Sequence, residues 1–471
     1  MRPLNATARA QFSKVLARRA AASATDLADA LAVSLPTLHR LLAENAGQVV
    51  VTGRARRTRY ALRRALRGRL VDLPLYTVDS SGGAHLLAQL TPVQPQGSCM
   101  RLEATDWPVP DEARDGWWSG LSYPINDMRP QGYLGRQLAR AEHRSLGVSA
   151  NPEEWTDDDV AHVLSRMGSD ASGNLILGNA ALERWQMHKL STPESTASIK
   201  PRAVGRAYAR LAERAIAAGV PGSSAAGEFP KFTALREWAG AKTPHVLVKF
   251  SGADSSPAVQ RWSDLLVCEH LALECAATLP GGDKVGSAAS ARSRVVMQDG
   301  RTFLEVERFD RHGLYGRSPL ISLGTLDAAL LGAGTADWSR LAALLHAAGL
   351  LGADDVQRID HLWWFGRLIA NSDMHTGNLS FTTQAGTNVL TLAPAYDMLP
   401  MLYAPLPGGE VPTRHFVPAL PLPPQRALWT AACRAAVEFW LRAAGDTRVS
   451  EGFRGLCRAN AGKLQQVIDR V

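Results

Sequence analysis

The chain has little cysteine: five residues among 471 (Cys99, Cys268, Cys275, Cys433 and Cys457), odd in number and never spaced as CxxC. That scarcity argues against a disulfide framework and against a zinc site, and leaves the five as reduced core residues. No uncharged apolar run reaches eighteen residues, and the opening MRPLNATARAQFSKVLARRA has no apolar h-region, so the expectation is a cytoplasmic protein without a membrane partner. No GxSxG elbow is present, which removes the anchor of a hydrolytic triad. Residues are 46% apolar, 20% charged and 7% aromatic, an ordinary globular balance that excludes wholesale disorder, collagen and coiled coil. At roughly 150 residues per domain, the length predicts about three folding units.

What is abundant is arginine at one end. Residues 1 to 70 hold fourteen Lys and Arg against three Asp and Glu, out of 52 and 44 in the whole chain. The remainder is therefore slightly acidic. Such asymmetry points to an appended module that meets a polyanion, the plainer alternative being a solvated basic arm. Residues 7 to 21 read as a helix, and Ser23 or Thr25 can cap a second one through Leu31. Ser34-Leu35-Pro36-Thr37-Leu38-His39-Arg40-Leu41-Leu42 then suits a third, with Leu35, Leu38, Leu41 and Leu42 on one face and Thr37, His39 and Arg40 turned out toward base edges or phosphates. From Gln48 the period becomes two: Val49-Val50-Val51-Thr52, a Gly53-Arg54-Ala55-Arg56-Arg57 turn, and Thr58-Arg59-Tyr60-Ala61-Leu62. Four arginines (Arg54, Arg56, Arg57 and Arg59) at a hairpin tip suit a wing lying along phosphates. Together these segments predict a winged helix-turn-helix that binds DNA. A dimer making four phosphate contacts per chain would show a log–log salt slope of about −7.

Residues 70 to 105 alternate and are rich in turn formers, which predicts a small β-rich unit; helical runs follow near 133 to 144 and 157 to 167, with an extended stretch at 173 to 178. Past residue 320 the pattern is mostly helical. Four separated segments carry the chemistry. Pro221-Gly222-Ser223-Ser224-Ala225-Ala226-Gly227-Glu228-Phe229-Pro230-Lys231 is a small-residue loop of the kind whose backbone N–H groups can approach phosphates, although an ordinary turn reads the same way. The strand His245-Val246-Leu247-Val248-Lys249-Phe250 places Lys249 on the face opposite Val248 and Phe250, within reach of nucleotide phosphates, and Glu269 on the following helix is a candidate ion-pair partner. Asp373 and Asn378 stand five residues apart, a spacing that lets a carboxylate orient a hydroxyl while an amide oxygen holds Mg²⁺. Asp397 follows a strand at 388 to 393, where a second metal carboxylate belongs.

These marks, with Val306-Glu307-Arg308-Phe309-Asp310-Arg311 and Tyr396-Asp397, make residues 70 to 445 resemble the HipA-like serine/threonine kinases of type II toxin-antitoxin systems, and the added N-terminal module resembles the YjjJ branch of that family. The resemblance implies ATP and Mg²⁺ as cofactors, with Lys249 on the phosphates and Glu307 and Phe309 presenting backbone groups to adenine. It implies Asp373 as the catalytic base, Asn378 and Asp397 as metal ligands, and Ser224 as an autophosphorylated serine that switches activity off. One departure is Asn371, where eukaryotic protein kinases carry a His two residues before the base. The expected architecture is α+β: a winged helix-turn-helix over 1–68, a β-rich subdomain over 69–200, a kinase-like body with the phosphate loop and Lys over 201–320, and a helical C-terminal lobe over 321–471. DNA and a protein substrate are the expected partners; a separate antitoxin and an oligomer stay open. A transcriptional regulator with a non-catalytic kinase-like body, or a kinase acting on a small molecule, would use the same residues.

Overall fold

The computed structural model describes residues 6–102, 105–190, 198–217, 229–281, 289–383 and 386–470. Helix and sheet are mixed throughout. At the N-terminus, helices Ala6–Ala17, Ala24–Ala30 and Leu35–Glu44 pack on a three-stranded antiparallel sheet in which Arg59–Leu62 lies between Ala22–Ser23 and Val49–Thr52. Ser23 starts the second helix with a capping box: its hydroxyl accepts from the Asp26 N–H while the Asp26 carboxylate accepts from its own. Phe12, Leu16, Leu27, Leu38 and Leu41 form the small core. Leu35, expected on the buried face, is 45% exposed, because the helix begins at that residue and its first turn overhangs the core. The hairpin tip needs Gly53, whose φ is +86° and whose missing Cβ would run into the Arg57 carbonyl.

The arginine excess of this end is only partly displayed. Arg63 pairs with Asp72, Arg64 with Asp158 and Arg67 with Asp159, so three of the fourteen cations fasten the module to the unit behind it. That unit is a five-stranded antiparallel sheet, ordered Trp117–Trp118, Ser98–Cys99, Ala84–Pro92, Leu73–Val78, Leu175–Leu177, and covered by helices Gly132–Leu146 and Asp157–Met167.

Next comes a four-stranded antiparallel sheet in the order Ser293–Gln298, Arg301–Glu307, His245–Phe250, Lys231–Leu235. Alternation along His245–Phe250 sends Val246, Val248 and Phe250 into an aromatic core with Tyr208, Phe232 and Phe303, under helix Val204–Ala217. Leu247 and Lys249 face the other way. Helix Pro257–Ala276 crosses that side, and helices Trp338–Ala347, Ala353–Leu368, Arg426–Gly445 and Glu451–Ile468 complete the C-terminal part around Trp338, Phe365, Trp429, Phe439 and Trp440. All five cysteines are buried free thiols. Among the described residues no helix is long and apolar enough to cross a membrane.

Candidate active site

Where strand His245–Phe250 meets helix Pro257–Ala276, three charges come together. The Lys249 ammonium donates to both Glu269 carboxylate oxygens, at 2.7 and 2.8 Å, and to the carboxylate of Asp397. Lys249 and Glu269 are buried, a costly condition for any charge that is not paired and hydrogen-bonded. Burial pushes the Glu269 carboxyl up to about 7, Lys249 pulling it down and Asp397 adding to the rise. Against the opposite pressure of burial, Asp397 and Glu269 hold the Lys249 ammonium above its ordinary range. Asp397 itself has φ +53°, a left-handed backbone that a non-glycine residue adopts only under constraint, and it turns its carboxylate to the lysine.

The loop after helix Ala353–Leu368 supplies the second half of the site. It leaves the helix through Ala370, at φ +60°, and seats Met374 over Gly366, where a Cβ would meet the Met374 sulfur at 2.5 Å. Asn371 accepts from the Asp373 N–H at 3.0 Å and donates to the Asp397 carbonyl at 3.4 Å, so one amide ties both acidic residues together. Asn378 Nδ2 donates to the Asp373 carbonyl at 2.8 Å, closing the five-residue span. His375 caps the short turn Thr376–Asn378: its Nδ1 accepts from the Gly377 N–H at 3.1 Å, and its carbonyl accepts from the Trp338 indole at 3.1 Å. Tyr396 fixes the far side. Its hydroxyl proton goes to the Gly377 carbonyl at 2.8 Å, so the Ser380 hydroxyl, 2.6 Å away, must donate to the tyrosine oxygen.

Lys231, Lys249, Asp373, Asn378 and Asp397 all line one cavity of about 610 Å³, with Leu247 on its upper wall. That size falls in the range of small-molecule sites. The β-rich unit adds Gln131, Tyr133 and Leu134, at the start of helix Gly132–Leu146, to the same lining. Asp127 of the same unit accepts from the Ser322 and Thr325 hydroxyls, holding the segment that lines the cavity floor. None of these wall contacts is signalled locally in the sequence.

The donor set can be tested against a metal nucleotide. Among the described residues no group of three His, Cys, Asp or Glu could form a closed metal cage. Asp397 and the Asn378 amide oxygen offer a small all-oxygen set instead, which suits Mg²⁺ completed by phosphates and water rather than Zn²⁺. Lys231 and Lys249 line the same cavity, two cations of the charge that attracts phosphate oxygens.

Other expected residues lie elsewhere. Ser224 and Gly227 fall outside the described residues. Glu307 and Phe309 line a second cavity of about 290 Å³, and the Glu307 N–H is already spent on the Arg292 carbonyl. Phe309 does reach the site indirectly, through a tilted ring contact with Tyr396 at 5.7 Å. Arg308 and Arg311 beside them pair with the buried Asp310 and with the exposed Asp170 of the β-rich unit; against burial, the two arginines hold the Asp310 carboxyl well below the usual range. In the N-terminal module His39, Arg40, Arg54, Arg56 and Arg57 are exposed and Thr37 is half-buried, while Arg59 folds back onto the Arg56 and Thr58 carbonyls at 3.1 Å.

Two family models match the chain: the YjjJ-like toxin middle domain over residues 70–186 and the HipA-like C-terminal domain over residues 223–448. Over 454 residues the chain is 35% identical to Toxin YjjJ of Escherichia coli strain K12, covering 95% of this chain and 96% of that protein. Likeness to solved structures is weaker. HipA in the HipA, HipB and operator DNA complex of Shewanella oneidensis MR-1 shares 16% identity over 84% of this chain and 97% of its own, with a TM-score of 0.49. The Helicobacter pylori proinflammatory kinase CtkA shares 12% over 51% and 89%, with a TM-score of 0.33. By its sequence match over nearly its whole length, the chain belongs to the YjjJ-like toxins, with a HipA-like C-terminal domain.

Proposed function

We propose that this chain is an ATP-dependent serine/threonine protein kinase with a fused DNA-binding domain, a cytoplasmic toxin that restrains growth by phosphorylating a cellular protein. The observation that carries the reading is the meeting of Lys249 and Asp397 in one cavity with Asp373 and Asn378, Lys249 being held from behind by the buried Glu269. Lys249, kept extended by Glu269, would position the phosphates, with Lys231 beside it. Asp373 would accept the hydrogen bond of the attacking hydroxyl and orient it for in-line attack on the γ-phosphorus. Asn378 and Asp397 would hold Mg²⁺, which when bound neutralises phosphate charge. Asn371 and Tyr396 keep these groups in register without touching the reactants.

In this reading residues 1–68 form the winged helix-turn-helix, 69–200 the β-rich unit, 201–320 the nucleotide-binding body and 321–471 the helical lobe. Helix Leu35–Glu44 would enter the major groove behind Thr37, His39 and Arg40, and the hairpin arginines would lie on phosphates. Toxin YjjJ is similar along nearly its whole length.

The test is turnover. Full-length protein with ATP and Mg²⁺ should transfer the γ-phosphoryl group to protein, and Asp373→Asn should cut the rate by about 10²–10⁴. Because Asp373 is exposed, its unfolding midpoint should not move. Full activity in that variant would remove Asp373 from the mechanism, whereas no transfer by the wild-type protein would leave the non-catalytic regulator as the better account.

A further inference from the structure

Arg202, Arg206, Arg210 and Arg214 recur every four residues along helix Val204–Ala217 and the turn that leads into it, and all four are exposed. They are neighbours in space, because four residues return a helix to nearly the same face one turn higher; the row runs for about 18 Å with about 6 Å between steps. Like charges at this spacing repel. Elsewhere in the chain the repulsion is relieved: on helix Glu451–Ile468, Arg454 and Arg458 stand at the same interval and both pair with Glu451. Along the first row, among the described residues, no carboxylate pairs with any of the four arginines.

A second row continues the first. On helix Gly132–Leu146, positions 133, 136, 137, 140 and 144 share a face. From that face Tyr133 and Gln137 both donate to the Ala215 carbonyl, at 3.5 and 3.3 Å, so it abuts the end of the helix that carries the first row. Arg136, Arg140 and Arg144 carry it away from that contact, Arg140 and Arg144 exposed. Its far end reaches the N-terminal module, where Arg67 donates to the Gly147 carbonyl at 2.9 Å. The result is a basic track that begins beside the hairpin module and crosses two helices.

The track holds no exposed aromatic anchor and is charged along its length, the reverse of a protein–protein interface core, where charge is depleted and Tyr, Trp and Phe are enriched. It also lacks the stacking rings that single-stranded nucleic acid requires. A stripe of arginines along helices, without aromatics, fits the backbone of a duplex and reads no sequence.

We propose that this arginine track binds the phosphodiester backbone of duplex DNA flanking the site held by the N-terminal module. The proposal rests on the DNA-binding reading of that module, and a length series separates the two. Fluorescence anisotropy would follow full-length protein on random-sequence duplexes of 12 and 30 base pairs at several salt concentrations. Wild type should bind the longer duplex more tightly and with a steeper salt dependence. Arg202→Gln, Arg206→Gln, Arg210→Gln and Arg214→Gln combined should make the 30-base-pair slope shallower by about 0.9 for each arginine that touches a phosphate, while leaving the 12-base-pair slope alone. The matching fourfold Arg→Lys variant should keep the wild-type slope, which separates charge from any disturbance of the helix. Equal 30-base-pair slopes for wild type and the glutamine variant would overturn the track. Loss of 12-base-pair binding in that variant would overturn it too, by showing that these residues act at the module's own site. An Arg54→Gln, Arg56→Gln, Arg57→Gln variant that binds the short duplex like wild type would instead overturn the module reading, whatever the track does.

Discussion

In the cleft, Lys249 is buried and answered twice from within the chain, by Glu269 and by Asp397; on the hairpin, Arg54, Arg56 and Arg57 are exposed and have no ion-pair partner among the described residues. The contrast follows from solvation. A charge removed from water is tolerable only when the fold supplies its counterion, whereas a charge left in water can wait for one from outside. The first kind of cation is built into the structure and its loss is felt by stability. The second is felt only when a polyanion arrives.

The sharpest way to break this distinction is to remove the buried cation. Lys249→Ala leaves the Glu269 and Asp397 carboxylates facing one another without an ammonium, and should lower unfolding free energy by about 3–5 kcal/mol as well as abolish turnover. Denaturant titration reads the first effect, and an unchanged midpoint would mean that water already reaches the pair. At the hairpin the expectation inverts: Arg54→Gln, Arg56→Gln and Arg57→Gln together should leave stability within about 0.5 kcal/mol and make the salt slope of duplex binding shallower by about 2.7. A variant that unfolds earlier but binds as before would reverse the roles of the two regions.

A third effect concerns pH. The Glu269 carboxyl, raised to about 7 in the folded chain from an ordinary 4.5, holds its proton more tightly folded than unfolded. Its ionisation therefore removes stability as pH rises from about 4.5 to about 7. Glu269→Gln should flatten that decline, measured as unfolding free energy across the same interval, and an identical slope in both proteins would place the titration elsewhere.

Much of the cleft was legible before folding because its signals are local. Alternation along His245–Phe250 sets the facing of Lys249, and the Asp373 to Asn378 interval is closed within one loop. A helix glutamate is usually solvated, so nothing local singles out Glu269, yet the geometry makes its bond to Lys249 a two-oxygen contact. What stayed hidden depends on partners outside each residue's own element. Asn371 reads as a missing histidine until its bond to the Asp397 carbonyl is visible, and nothing near Arg63, Arg64 and Arg67 foretells Asp72, Asp158 and Asp159. Charge counting overstates the free arginine of the N-terminal end for that reason. The cavity wall at Gln131 to Leu134 is likewise a product of docking between units, which periodicity does not encode.

The most direct test of the shared cleft is phosphoryl transfer from ATP by the full-length chain, with Mg²⁺ and with excess chelator, beside Asp373→Asn. The account predicts transfer that requires the metal and falls by at least about a hundredfold in the variant. Transfer that survives both the chelator and the substitution, or none from wild-type protein that binds ATP and Mg²⁺, would contradict it.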